Sequence, residues 1–92
     1  MARKNTTPRT PRLTLEEQAL ARQEADRATL QQNVDAFKVA LADHETLPEL
    51  RALAAQYLPV FLGLVAKIDE ELPDFRLRAQ AARERAEKVA AR

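Results

Sequence analysis

Residues 52–66 read Ala52-Leu53-Ala54-Ala55-Gln56-Tyr57-Leu58-Pro59-Val60-Phe61-Leu62-Gly63-Leu64-Val65-Ala66. No charge falls between Arg51 and Lys67, in a chain of which 32% is Asp, Glu, Lys or Arg. Tyr57 and Phe61 lie inside this run, and Phe75 follows it. A helix apolar around most of its circumference must be covered, so the other helices exist largely to cover this one. The run is shorter than the roughly 20 residues that span a bilayer. It also lacks the strongly cationic polar face of an interfacial helix. No membrane partner is therefore expected.

Working outward, Leu47, Leu50, Ala54, Tyr57, Phe61, Leu64 and Ile68 recur at alternating spacings of three and four, the seam of a coiled coil. Leu53, Leu58, Leu62, Val65 and Leu72 form a second stripe beside it. One partner helix is too narrow to cover both stripes. The pattern therefore predicts oligomerisation, as a homodimeric four-helix bundle with Leu50, Tyr57, Leu58, Phe61, Leu62, Leu64, Val65 and Ile68 in the interface. Pro59 removes a hydrogen bond to Ala55, but the heptads continue through it in register. A kinked continuous helix over about 47–71 follows, with Gly63 available for a close backbone crossing.

Thr14-Leu15-Glu16-Glu17 fits a capping box and opens a helix that meets no breaker until about residue 44. Its second half carries the seam Leu30, Val34, Phe37, Leu41, His44. In its first half Gln23 and Arg27 occupy the same face, so that half is expected to be partly solvent-facing or to need a second chain. Thr46-Leu47-Pro48-Glu49 reads as another capping box, and the short loop makes helices one and two antiparallel neighbours. Asp69, Glu70 and Glu71 then stand at the expected end of helix two, where they oppose the macrodipole and require cations, the nearest candidates being Arg76 and Arg78 or the basic arm of a partner. Leu72-Pro73-Asp74-Phe75 repeats the Leu-Pro-acid pattern, so Asp74 is expected to cap a shorter third helix over about 75–90. Its seam is Phe75, Ala79, Ala82, Ala86 and Val89, with Arg83–Glu87 and Glu84–Lys88 as exposed pairs.

Composition sets the class. Ala and Leu supply 31 of 92 residues, Gly and Ile occur once each, and no Asn-Gly or Asp-Gly turn is present. The chain is all-α, with one helical domain over 13–92. Residues 1–12 contain Arg3, Lys4, Arg9 and Arg12 with no acid. Prolines at 8 and 11 bias their neighbours away from helix, so this segment reads as a disordered basic arm. Residues 13–46 carry a net charge of −4, residues 47–74 carry −3, and residues 75–92 carry +4. Basic ends thus flank an acidic middle.

Cysteine and serine are both absent, which removes disulfides, thiolate sites and the commonest oxygen nucleophile. His44 is the lone histidine and has no metal-binding motif around it, so it reads as a cation at the end of helix one. The acidic run 69–71 with Asp74 has no Ca²⁺-loop spacing. No Gly-rich phosphate loop occurs. The expectation is a non-enzymatic, cytoplasmic protein without a cofactor or metal. Arg3, Lys4, Arg9, Arg12, Arg78, Arg85 and Arg92 are the candidate contacts to a DNA or RNA backbone, the last three sharing one helical stripe. An accessory or regulatory role on nucleic acid follows from them. The alternative is an adaptor whose second helix docks helices of a different protein, the charged ends serving only solubility.

Overall fold

The computed structural model describes residues 12–91. Two helices account for nearly all of them: α1 (Leu15–Ala42) and α2 (Pro48–Ala90), with 28 and 43 residues. No strand occurs among the described residues, and the all-α class holds. The two helices pack against each other as a hairpin.

α1 begins as its sequence requires. The Thr14 amide donates to Glu17 Oε1 at 2.8 Å, and the Glu17 amide donates to Thr14 Oγ1 at 3.1 Å, a complete capping box. The helix stops at Asp43, whose amide still reaches Val39 O. Asp43 Oδ1 then accepts from the Glu45 amide at 2.9 Å, closing the turn locally. The second capping box does not form. Pro48 forces the residue before it into extended backbone, so Leu47 (φ −57°, ψ 141°) becomes the N-cap and offers no side-chain oxygen. His44 lies in the turn beyond α1 and is exposed. The cation near the last carbonyls of α1 is instead Arg51, whose Nη2 lies 3.5 Å from Leu41 O.

The larger departure concerns the third helix. α2 runs through both Pro59 and Pro73 without a break, so 75–90 continues the same helix. An internal proline costs a helix about 3 kcal/mol, but packing against α1 holds the segment on both sides of residue 73: Leu72, Ala79 and Ala82 are all buried. Asp74, expected as a cap, forms an i,i+4 pair with Arg78 at 2.9 Å. The carboxylates at 69–71 consequently lie in mid-helix, where no macrodipole opposes them.

Most buried and half-buried positions of α2 trace one seam: Arg51, Ala54, Leu58, Phe61, Val65, Ile68, Leu72, Phe75, Ala79, Ala82, Ala86, with half-buried Ala81, Arg83 and Ala90 lying off it. Three-four spacing is kept throughout, across both prolines. On α1 the matching line is Leu20, Gln23, Arg27, Leu30, Val34, Phe37, Leu41. The seam predicted for the second half of α1 is present as far as Leu41, with Val34 fully enclosed. Its first half is partly solvent-facing, as expected, with Leu15, Gln18, Ala21 and Arg22 exposed, but Gln23 and Arg27 belong to the same line and turn toward α2 of the same chain.

Candidate interaction surface

The two flanks of the α2 seam change character near residue 66. One flank reads Leu50, Tyr57, Leu64, then Glu71, Arg78, Arg85; the other reads Leu62, then Asp69, Arg76, Arg83. Residues seven apart share a face, so the same geometric positions are apolar toward the turn and charged toward the open end.

The charged half is matched by α1. Arg83 donates to Glu17 from Nη2 at 2.6 Å and from Nε at 3.2 Å, and its Nη2 also donates to Arg12 O at 2.9 Å. The Arg83 and Glu17 side chains are only 23% and 22% exposed. The Arg83 hydrogen bonds, followed by that of the Thr14 amide, hold the Glu17 carboxyl at about 2, against its ordinary 4.5. Arg27 donates to both Asp69 oxygens, at 2.6 and 3.2 Å, which lowers the Asp69 pKa and raises that of Arg27. Gln23 donates to Glu71 at 3.3 Å. Arg76–Glu24 and Arg85–Glu16 stand further apart, at 3.9 and 3.6 Å. The cations expected to answer 69–71 were Arg76 and Arg78 or the basic arm of a partner; the principal one is Arg27. Arg83, expected beside Glu87 on the exposed side, reaches across to α1.

The apolar half has no such match. Leu50, Leu53, Tyr57, Val60 and Leu64 repeat the three-four spacing on the outside of α2 and are each between 41 and 54% exposed. At 100° per residue this stripe is centred roughly 100° around the helix from the α1-facing seam, too far for α1 to overlie it. Leu47, just before the stripe, is exposed as well, and Leu62 is exposed on the opposite flank of the seam. α1 presents polar flanks at this level, with Gln31 bonded to Asp35 at 2.9 Å. Phe61 joins seam to stripe: its ring meets Phe37 of α1 edge-on at 5.2 Å and Tyr57 at 6.5 Å. Gly63 has no atom within 4 Å of where a Cβ would stand, so it makes no close crossing within the chain.

Of the expected interface residues, Leu58, Phe61, Val65 and Ile68 lie on the seam toward α1 of the same chain, while Leu50, Tyr57, Leu62 and Leu64 face outward. Leu53 and Val60 complete the outward stripe; Val60 was missed by reading the apolar run as two stripes rather than three. Arg78 and Arg85 are exposed on one face, each near a carboxylate. Arg12 is exposed. Arg3, Lys4, Arg9 and Arg92, like most of the proposed arm, lie outside the described residues. Among the described residues, no group of three or more His, Cys, Asp or Glu side chains is placed to hold a metal. By length and composition alone α2 qualifies as a membrane-crossing helix, although its uncharged run extends only about 22 Å, against a hydrocarbon core of about 30 Å.

No protein-family model matches the chain, and no significant match was found among curated proteins or solved structures.

Proposed function

We propose that this chain is a non-enzymatic helical-hairpin module that self-associates through the outward stripe of α2, two hairpins making a four-helix core. The observation carrying this reading is the second heptad line, Leu50 to Leu64, lying beside a seam that α1 already occupies. Burying a half-exposed Leu, Val or Tyr contributes about 1 kcal/mol, so ten such side chains in a dimer supply about 10 kcal/mol. Association costs offset much of this, leaving a few kcal/mol and a dissociation constant in the micromolar to millimolar range. Sedimentation equilibrium tests it. The chain should dimerise below about 1 mM, and Val60→Asp should leave a monomer with an unchanged helical circular dichroism spectrum. A wild type that stays monomeric up to that loading refutes the reading. Ordering of that monomer by a different helical protein would select the adaptor role, and its capture by lipid vesicles a membrane role.

A further part of the proposal is contact with nucleic-acid phosphates through the basic ends. Arg78 and Arg85 support it, because they stand two turns apart on one exposed face of α2. Surface ion pairs such as theirs are worth little and exchange readily for phosphate. Binding to a generic duplex should weaken steeply with salt, and Arg78→Gln with Arg85→Gln should reduce the log–log slope by about 2. Absence of binding at about 50 mM salt removes this part and leaves self-association standing.

A further inference from the structure

The outward stripe is nearly symmetric about its middle residue. Measured from Tyr57, its members stand at −7, −4, +3 and +7 (Leu50, Leu53, Val60, Leu64). Two copies laid antiparallel with Tyr57 against Tyr57 therefore bring Leu50 onto Leu64 and Leu53 onto Val60, with every contact repeated by the two-fold. The charges ending the stripe are opposite in sign. Lys67 follows Leu64 in the same three-four series, and Glu45 and Glu49 flank the other end around Leu47. Antiparallel pairing sets each Lys67 opposite Leu47 of the second copy, within two residues of Glu45 and Glu49. Parallel pairing sets Lys67 on Lys67 and Glu49 on Glu49, a like-charge arrangement that disfavours that partner geometry. Glu70 and Glu71 then approach Asp43 and Glu45 of the second copy, but roughly 20 Å from the crossing point. Helices inclined by about 20° have separated there by about 7 Å more, which weakens the repulsion.

We infer that the partner of the α2 stripe is a second copy of this chain in antiparallel orientation, with the two-fold axis at Tyr57 and each Lys67 facing the acidic end of the other α2. The inference rests on the self-association proposed above and specifies its geometry. The absence of cysteine makes the test direct. Single-cysteine variants Tyr57→Cys, Leu50→Cys and Leu64→Cys are oxidised alone and in pairs, after sedimentation has established which of them dimerise and circular dichroism has shown unchanged helicity. Antiparallel pairing joins Tyr57→Cys to itself. It joins Leu50→Cys to Leu64→Cys in a mixture, and it leaves Leu64→Cys alone uncrosslinked, because its two copies are then about 21 Å apart along the axis. A disulfide requires Cα atoms within about 7 Å. Self-crosslinking of Leu64→Cys as fast as Tyr57→Cys overturns the antiparallel geometry while self-association survives. Dimers by sedimentation in which none of these pairs crosslinks place the interface elsewhere and also overturn it. A parent chain that never dimerises defeats the underlying reading instead, so the two failures are distinguishable.

Discussion

Replacing Pro73 with alanine gives the sharpest test of α2 as one continuous helix. Pro73 is exposed, so its ring contributes little packing that alanine would lose. Within a continuous helix the new amide donates to the carbonyl of Asp69, which has no such donor while proline is present, and the ring no longer crowds that carbonyl. The full difference between proline and alanine in a helix interior is about 3 kcal/mol. Local bending relieves part of the clash, so a gain of about 1–3 kcal/mol is expected. For a domain of this size that raises the melting temperature by at least about 4 °C, read by circular dichroism at 222 nm. Protein concentration must be held fixed, since self-association also shifts the midpoint. If instead the chain broke into a third helix after Leu72, Pro73 would occupy a first-turn position where its missing amide costs nothing. Alanine would then loosen the unfolded chain and lower stability by about 0.4–1 kcal/mol. The sign therefore decides, and a lower melting temperature for Pro73→Ala refutes the continuous helix. Pro59→Ala serves as the internal reference. It should also raise the midpoint, and the double variant should be nearly additive, because 14 residues of helix separate the sites by about 21 Å.

Acid should weaken the hairpin through Glu17: its folded pKa is depressed from 4.5 to about 2, so the stabilisation is present above the unfolded value and is lost as pH falls through that window. Glu17→Gln should flatten the fall in melting temperature between those pH values, and an unchanged pH profile would sink the Arg83–Glu17 assignment. Gly63→Ala should raise stability by about 1 kcal/mol, because it replaces a mid-helix glycine at a position with open space around it. A loss of stability in thermal melts would show that something crosses closely at that position.

The helical class and the start of α1 were legible because both rest on local chemistry. Thr14 and Glu17 are three residues apart, and their reciprocal bonds need nothing from the rest of the chain. Leu30, Val34, Phe37 and Leu41 likewise announced their shared face. The third helix was misread because the local signal at Leu72-Pro73-Asp74 is a genuine cap pattern, overruled by packing of Leu72, Ala79 and Ala82 against α1. The second capping box failed for the converse reason: Pro48 moved the cap to a residue with no oxygen to offer. The cross-helix pairs were hidden because they join residues 42 to 69 positions apart. A clue was present in Arg27, which continues the line of Leu30 and Val34, and in Asp69, which borders Ile68. Pairing a polar step on one seam with charges flanking the other would have found them. The outward stripe was legible only as excess apolar width; assigning each residue to a seam required knowing where α1 lies.

Rings and aliphatic groups hold the hairpin near the turn. Toward the free ends the buried groups shrink to Ala79 and Ala82, and a second kind of force, the ionic clasps, is added. Concentrated salt screens the second kind, and an excluded salt such as sulfate strengthens the first. Raising ionic strength should therefore part the legs of the molecule from their tips, as tweezers open, while the bend stays shut. Amide hydrogen exchange would register this as faster labelling at the distal residues of both helices, with little change around Phe37 and Phe61.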